Sequence, residues 1–250
     1  MFGWLRRRAA PSIPDALWKG VLAGYPFLAQ LPLAEGARLR ELTAGFLAEK
    51  EFHGANGFTI TDEVAVRIAA QAVLPVLNLG LGWYDDFVGI VVQPGEVVAR
   101  RETMDEDGVV HHYDEHLVGE AMEHGPVMLS WQDVAAAGES AEAGYNVVIH
   151  EFVHKIDMRD GAADGCPPLA SLQARKAWLA VLEPSWEAFR EKVIVAERFG
   201  GEPTWLDPYG AEAISEYFAV ACEAYFVNRP VFGAEFPELL PLFDGFFRPA

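Results

Sequence analysis

The stretch Asn146-Val147-Val148-Ile149-His150-Glu151-Phe152-Val153-His154-Lys155-Ile156-Asp157 decides how this chain is read. Residues four apart on a helix lie one above the other, so His150 and His154 can offer two imidazole nitrogens to one metal ion. Glu151 falls one residue round from that edge, within reach of a water at the metal without being a ligand. Five residues can match by chance, so the surroundings must support the reading. They do: Val147, Val148, Phe152, Val153 and Ile156 predict a helix buried on most sides, with Gly161 as its stop. Two histidines and a glutamate are costly in so apolar a helix unless something pairs with them. A pair of core histidines bonded to backbone is the bland alternative, and that cost weighs against it.

Catalytic zinc commonly takes three protein ligands and leaves a fourth position open. No histidine follows His154, so the third ligand is sought among carboxylates. The run from Ala211 to Asn228 reads as a helix carrying Glu212, Glu216 and Glu223. Glu216 is the first choice, because an unpaired carboxylate within so apolar a pattern would be costly. Glu212 stands at the first turn, where the helix dipole alone favours an acid. Glu223 lies two turns on, on the same side, and suits either ligation or a hydrogen bond to a ligand histidine. Tyr209, seven residues before Glu216, could reach the metal side, although a tyrosine beside Pro208 also reads as packing. A purely structural zinc site is disfavoured, since such sites are normally closed by four ligands.

The remaining composition narrows the classes. With 250 residues the chain can bury a substantial core. Its longest apolar stretch, Ala69 to Trp83, is interrupted by Gln71, Pro75 and Asn78, so no membrane span is expected. The basic start Met1 to Arg8 leads into Ala9-Ala10-Pro11 rather than an apolar leader. It reads as a frayed end, with docking to an acidic partner as the alternative. Two cysteines, Cys166 and Cys222, make no disulfide framework and suit a reducing cytoplasm. A formal net charge of −18 disfavours direct nucleic-acid binding and suits cationic partners and retention of a divalent metal.

Along the chain, residues 15 to 50 and 61 to 79 read as helical, and Glu51 to Phe58 as a turn-rich connection with His53 in a loop. Period-two and β-branched runs follow at 87 to 92, 97 to 103, 109 to 118 and 126 to 130, giving an α+β chain. His111, His112 and His116 fall on the third of these runs; His112 and His116 could share a sheet face, but the metal reading is weaker there. Helices are expected from about 171 to 197 and 211 to 228. Residues 1–83 form a helical N-terminal part and 84–250 a catalytic part, or the two form one compact unit. The Phe-rich end from Arg229 to Ala250 needs somewhere to pack, against the body or over the site.

The residues His150-Glu151-x-x-His154-Lys155-x-Asp157-x-Arg159-x-Gly161 resemble the zinc helix of the Mlc titration factor A family of bacterial zinc metallopeptidases. The resemblance extends to Gly119-Glu120-Ala121 with Gly125-Pro126-Val127, to Ile68-Ala69-Ala70-Gln71-Ala72, and to Tyr209 with Glu216-x-Phe218-Ala219-Val220. It implies a zincin-like, gluzincin-type fold with a small mixed sheet, similar in its core to the catalytic domain of anthrax lethal factor. It implies zinc on His150, His154 and Glu216, Glu151 as catalytic acid/base and Tyr209 as a catalytic residue. It also implies a cytoplasmic protein with aminopeptidase-like activity that binds the glucose-responsive repressor Mlc. Peptide hydrolysis is therefore expected, with an extended substrate adding to an edge strand around Val127 to Ser130. The rival is a regulatory binding protein that sequesters a transcription factor, its peptidase activity slight or latent.

Overall fold

A computed structural model describes residues 12–95, 97–104, 110–117 and 119–249, with backbone only for 97–104 and 110–117. The basic start and the side chains of His111, His112 and His116 lie outside the described set. The fold is α+β. The first helical stretch is divided by its prolines into α1 (Asp15–Gly24), α2 (Pro26–Ala29) and α3 (Leu33–Glu49). Proline begins a helix well but cannot continue one, since it lacks an N–H. Thr61 caps α4 (Asp62–Ala72), accepting a hydrogen bond from the Val64 amide. This helix stops seven residues short of the expected end at 79, because the residue before Pro75 disfavours helical backbone.

Between α3 and α4 lies a strand that the sequence reading assigned to a turn. β1 (Glu51–Gly54) pairs in parallel with β2 (Gly89–Gln93), placing His53 opposite Val91. His53 is thus a strand residue rather than a loop residue. β2 pairs in parallel with β6 (Val127–Ser130), and β6 pairs antiparallel with the short β5 (Gly119–Ala121). The order β1-β2-β6-β5 corrects a second expectation: β6 has neighbours on both sides, and among the described residues β5 is the end strand beside it. The acidic, β-branched region between β2 and β5 forms a separate antiparallel ribbon of β3 (Val97–Met104) and β4 (Val110–Leu117).

The helices α5 (Trp131–Ser140), α6 (Val147–Asp157), α7 (Leu172–Phe199) and α8 (Ile214–Val227) follow, capped in turn by Ser130, Asn146 and Ser171 for the first three. α6 is the hub, touching α4, α5, α8, β5 and β6. Gly144, just before it, has φ +78°, and a Cβ there would lie 3.1 Å from Ala224 Cβ and against the Trp205 ring. Only glycine lets the chain turn into α6 this close to α8. Buried residues from Ile13 to Phe247 form one hydrophobic cluster, and β1 joins the sheet from the N-terminal side of residue 83.

The Phe-rich end forms α9 (Arg229–Glu235) and α10 (Leu239–Phe247). Phe243 stacks on Trp178 with centroids 5.8 Å apart and meets Phe218 and Tyr225 edge-on. Phe218 lies two residues past Glu216, about 200° round the helix, so these rings pack on the side of α8 opposite Glu216.

Candidate metal centre

α6 and α8 bring the candidate ligands together. His150 Nε2 and His154 Nε2 stand 3.1 Å apart, and Glu216 Oε2 lies 3.1 Å from the first and 3.2 Å from the second. Among the described residues, these three form a group whose donor atoms could hold one ion. The donor set, two imidazoles and a carboxylate, suits zinc. Two ring nitrogens and a carboxylate oxygen crowded about one point need a cation or shared protons between them, and the set matches the donors of a metal site.

The second nitrogen of His150 is already engaged. Its Nδ1 is 2.7 Å from Glu223 Oε1, so a proton on Nδ1 leaves the Nε2 lone pair for a metal. Glu223 is almost fully buried and its other oxygen accepts from the Asn146 amide. Asn146 Oδ1 caps α6 by accepting from the Ile149 amide at 3.0 Å, while its Nδ2 donates to Gln71 Oε1 at 2.8 Å. Gln71 in turn donates to the Arg67 carbonyl at 3.1 Å. One chain of hydrogen bonds thus ties α4, the start of α6 and α8 to a single histidine. The sequence assigns Asn146 and Gln71 no part in the metal site. An Asn before an apolar helix and a Gln in an Ala-rich buried one were the available signals.

Electrostatically the centre is a buried mixture of acids and bases. Burial disfavours charge on His150, but the carboxylates of Glu216 and Glu223 against its two nitrogens raise its pKa well above the ordinary value. Burial likewise works against ionised Glu216, yet both histidines hold its carboxyl well below the usual carboxylate range. Glu223 goes upward, mainly through burial, with His150 opposing. These opposed shifts favour a proton on the His150 imidazole rather than on Glu216.

Glu151 is 4% exposed, and burial pushes its carboxyl up to about 7 against the pull of His150 and His154. Its side chain lies against the backbone of β5: a Cβ on Gly119 would come within 2.7 Å of Glu151 Cγ and 2.8 Å of Cδ, and closer still to Oε1. Tyr209 stands on the short 3-10 turn Pro208–Ala211 ahead of α8, its ring centroid 6.1 Å from that of His150. The Asp207 carboxylate accepts from the Tyr209 amide at 2.9 Å, and Trp186 Nε1 donates to the Gly210 carbonyl at 3.2 Å, so the turn is fixed on both sides. Glu212 follows this turn and is not a member of the converging group.

The family model described as glucose-regulated metallo-peptidase M90 matches residues 2–248. The chain belongs to this metallo-peptidase family. Its α+β architecture, with a helix bearing two histidines and a helix bearing the glutamate, is the zincin-like arrangement expected of an M90 member. The M90 chain is 34% identical over 249 residues to Mlc titration factor A of Edwardsiella ictaluri, covering 99% of this chain and 93% of that protein. It is 31% identical to Mlc titration factor A of Escherichia fergusonii, with 97% and 89% covered. Against the protein of the same name from Serratia proteamaculans the identity is 34%, with 93% and 87% covered. Among the described residues no helix is long and apolar enough to cross a membrane.

Proposed function

We propose that this protein is a cytoplasmic zinc-dependent peptidase of aminopeptidase-like action, with zinc on His150, His154 and Glu216. The observation that carries the reading is the convergence of those three donors beside a buried Glu151 that abuts β5, the end strand of the sheet among the described residues. Zinc held there would polarise the scissile carbonyl and acidify the attacking water. Glu151 takes the proton of that water and returns it to the leaving amine; a carboxyl with a near-neutral pKa suits both directions. Tyr209 donates its phenol to the oxyanion that develops on the carbonyl. Glu223 keeps the His150 ring in the tautomer that presents Nε2. An extended substrate aligns along β5, the edge nearest Glu151.

Metal content and amino-acid p-nitroanilide hydrolysis, measured on the same samples of wild type and Glu216→Ala, test the reading. About one zinc per chain with activity, both lost in the variant, is the expected result. A variant that keeps zinc moves the third ligand to Glu212 or Glu223, and a wild type that binds none removes the peptidase reading.

The name shared by the relatives favours a second role, capture of an Mlc-type transcriptional repressor. Glu151→Gln separates the two. We expect zinc to be retained, hydrolysis to fall by about 10²–10⁴-fold, and repressor capture to persist. Unchanged turnover would reject Glu151 as the acid/base, and capture lost together with hydrolysis would make it a proteolytic event.

A further inference from the structure

Helix α6 presents two stripes to its surroundings. His150 and His154 form one, and Glu151 and Lys155, also four apart, form the next. Lys155 has no exposed surface, unusual for a lysine, and burial lowers its readiness to stay charged. Its ammonium is spent on the β5–β6 hairpin. Nζ donates to the Met122 carbonyl at 2.7 Å and to the Gly125 carbonyl at 3.2 Å, and it lies 4.5 Å from the centroid of the Phe87 ring. The hairpin turn is closed by the Gly125 amide donating to the same Met122 carbonyl at 3.0 Å, and it holds His124 at φ +51°. A tight turn of this kind could give its carbonyls to solvent at no cost. Two of them are instead drawn inward onto a buried cation.

The geometry points to Lys155 as a positioning residue that latches the β5–β6 hairpin, fixing the edge strand at the height where Gly119 meets Glu151. The two contacts bracket β5: Glu151 bears on Gly119 at its start, and Lys155 grips Met122 just past its end. One rigid helix thereby sets the distance between the acid/base and the backbone along which substrate would lie. Phe87 steadies the arrangement from β2's side, since Lys50 Nζ also sits over its ring at 4.1 Å and donates to its carbonyl at 2.6 Å. The substrate part of this inference rests on the peptidase reading above, while the latch itself does not.

The test uses zinc-loaded full-length protein carrying Lys155→Met or Gly125→Ala. The first removes the ammonium at similar side-chain length. The second disturbs the same turn from outside the core, because a Cβ at 125 would meet Met122 Cβ at 2.7 Å. Both are expected to keep the metal, to raise KM for an extended peptide by about tenfold or more, and to leave kcat and the p-nitroanilide reaction within about threefold. Amide hydrogen exchange from Gly119 to Met122 should quicken by about tenfold in both. Unchanged exchange in the two variants overturns the latch. Faster exchange with equal losses on short and extended substrates overturns the positioning role, and a wild type inactive on every peptide would sink the peptidase reading while exchange still decides the latch. Should Lys155→Met lack a cooperative melt, Gly125→Ala carries the same arms.

Discussion

On α8, Glu216 and Glu223 share one face, while Phe218 and Tyr225 share the opposite one, and both faces are largely shut away from water. The acidic face meets two histidines and the amide at the start of α6. The aromatic face meets Trp178, Phe232, Phe243 and Phe247 at ring separations of 5.6–5.8 Å. Burial on the second face lowers free energy through apolar area and ring contacts. Burial on the first costs free energy that each hydrogen bond only offsets. A helix can bear such a costly face because its other side is so well packed, and the difference separates what holds the molecule together from the candidate site it carries.

The sharpest way to break the comparison is at the centre of the aromatic face. Phe243→Ala should lower the unfolding free energy by about 3–5 kcal/mol, read from urea denaturation, because it empties a site surrounded by five other rings that cannot collapse fully. Metal stoichiometry per folded chain should be unchanged. Zinc lost from a variant whose circular dichroism is native would mean that the faces are coupled. A smaller effect is expected on the acidic face. Glu223→Gln keeps the size of the side chain but weakens its hold on His150 Nδ1 and the Asn146 amide, so zinc affinity should fall by about 10–100-fold in chelator competition, with stability little changed. An unchanged affinity would make Glu223 an element of structure alone.

The acidic face was the more legible of the two in the sequence. Polar residues in an apolar helix announce that something must pair with them, which singled out Glu216 and left Glu223 as its alternative or its neighbour. The i,i+4 histidines did the same for α6, and the Phe-rich end could be seen to need a partner without its partner being visible. The sheet was harder. β1 reads Glu51-Phe52-His53-Gly54, with no apolar alternation and with turn-forming Asn56 and Gly57 close behind, and its partner β2 lies beyond an intervening helix. β5 reads Gly119-Glu120-Ala121, three residues of low strand preference whose pairing is imposed by β6 and α6 rather than by their own chemistry. Missing it moved the expected edge to β6. Lys155 was hidden for a different reason: nothing local distinguishes a lysine that will be buried from one that will be solvated.

Asp157 offers the finest test, because it is a fully buried carboxylate at the end of α6 that belongs to neither set. Its Oδ2 accepts from the Gly165 amide at 2.8 Å, while Oδ1 has no hydrogen-bond partner among the described residues, and its charge adds to burial in raising the pKa of the Cys222 thiol on α8. Burial pushes its own carboxyl from 3.8 up to about 6. The folded chain therefore holds this proton more tightly than the unfolded chain does. Well below pH 4 both states are protonated and the group costs nothing; as pH rises towards 6 the unfolded chain releases its proton first and stability falls, after which the cost stays constant. Asp157→Asn removes an ionisation that costs about 3 kcal/mol at pH 8 but also weakens the bond from Gly165, so a net gain of about 1 kcal/mol at pH 8 should turn into a net loss of about 2 kcal/mol near pH 3. Urea melts of chelator-treated protein at the two pH values check it. A variant less stable than wild type at pH 8 would mean that the ionised carboxylate is itself stabilised in the fold, and that buried charge outside the metal centre has found a partner as effective as those inside it.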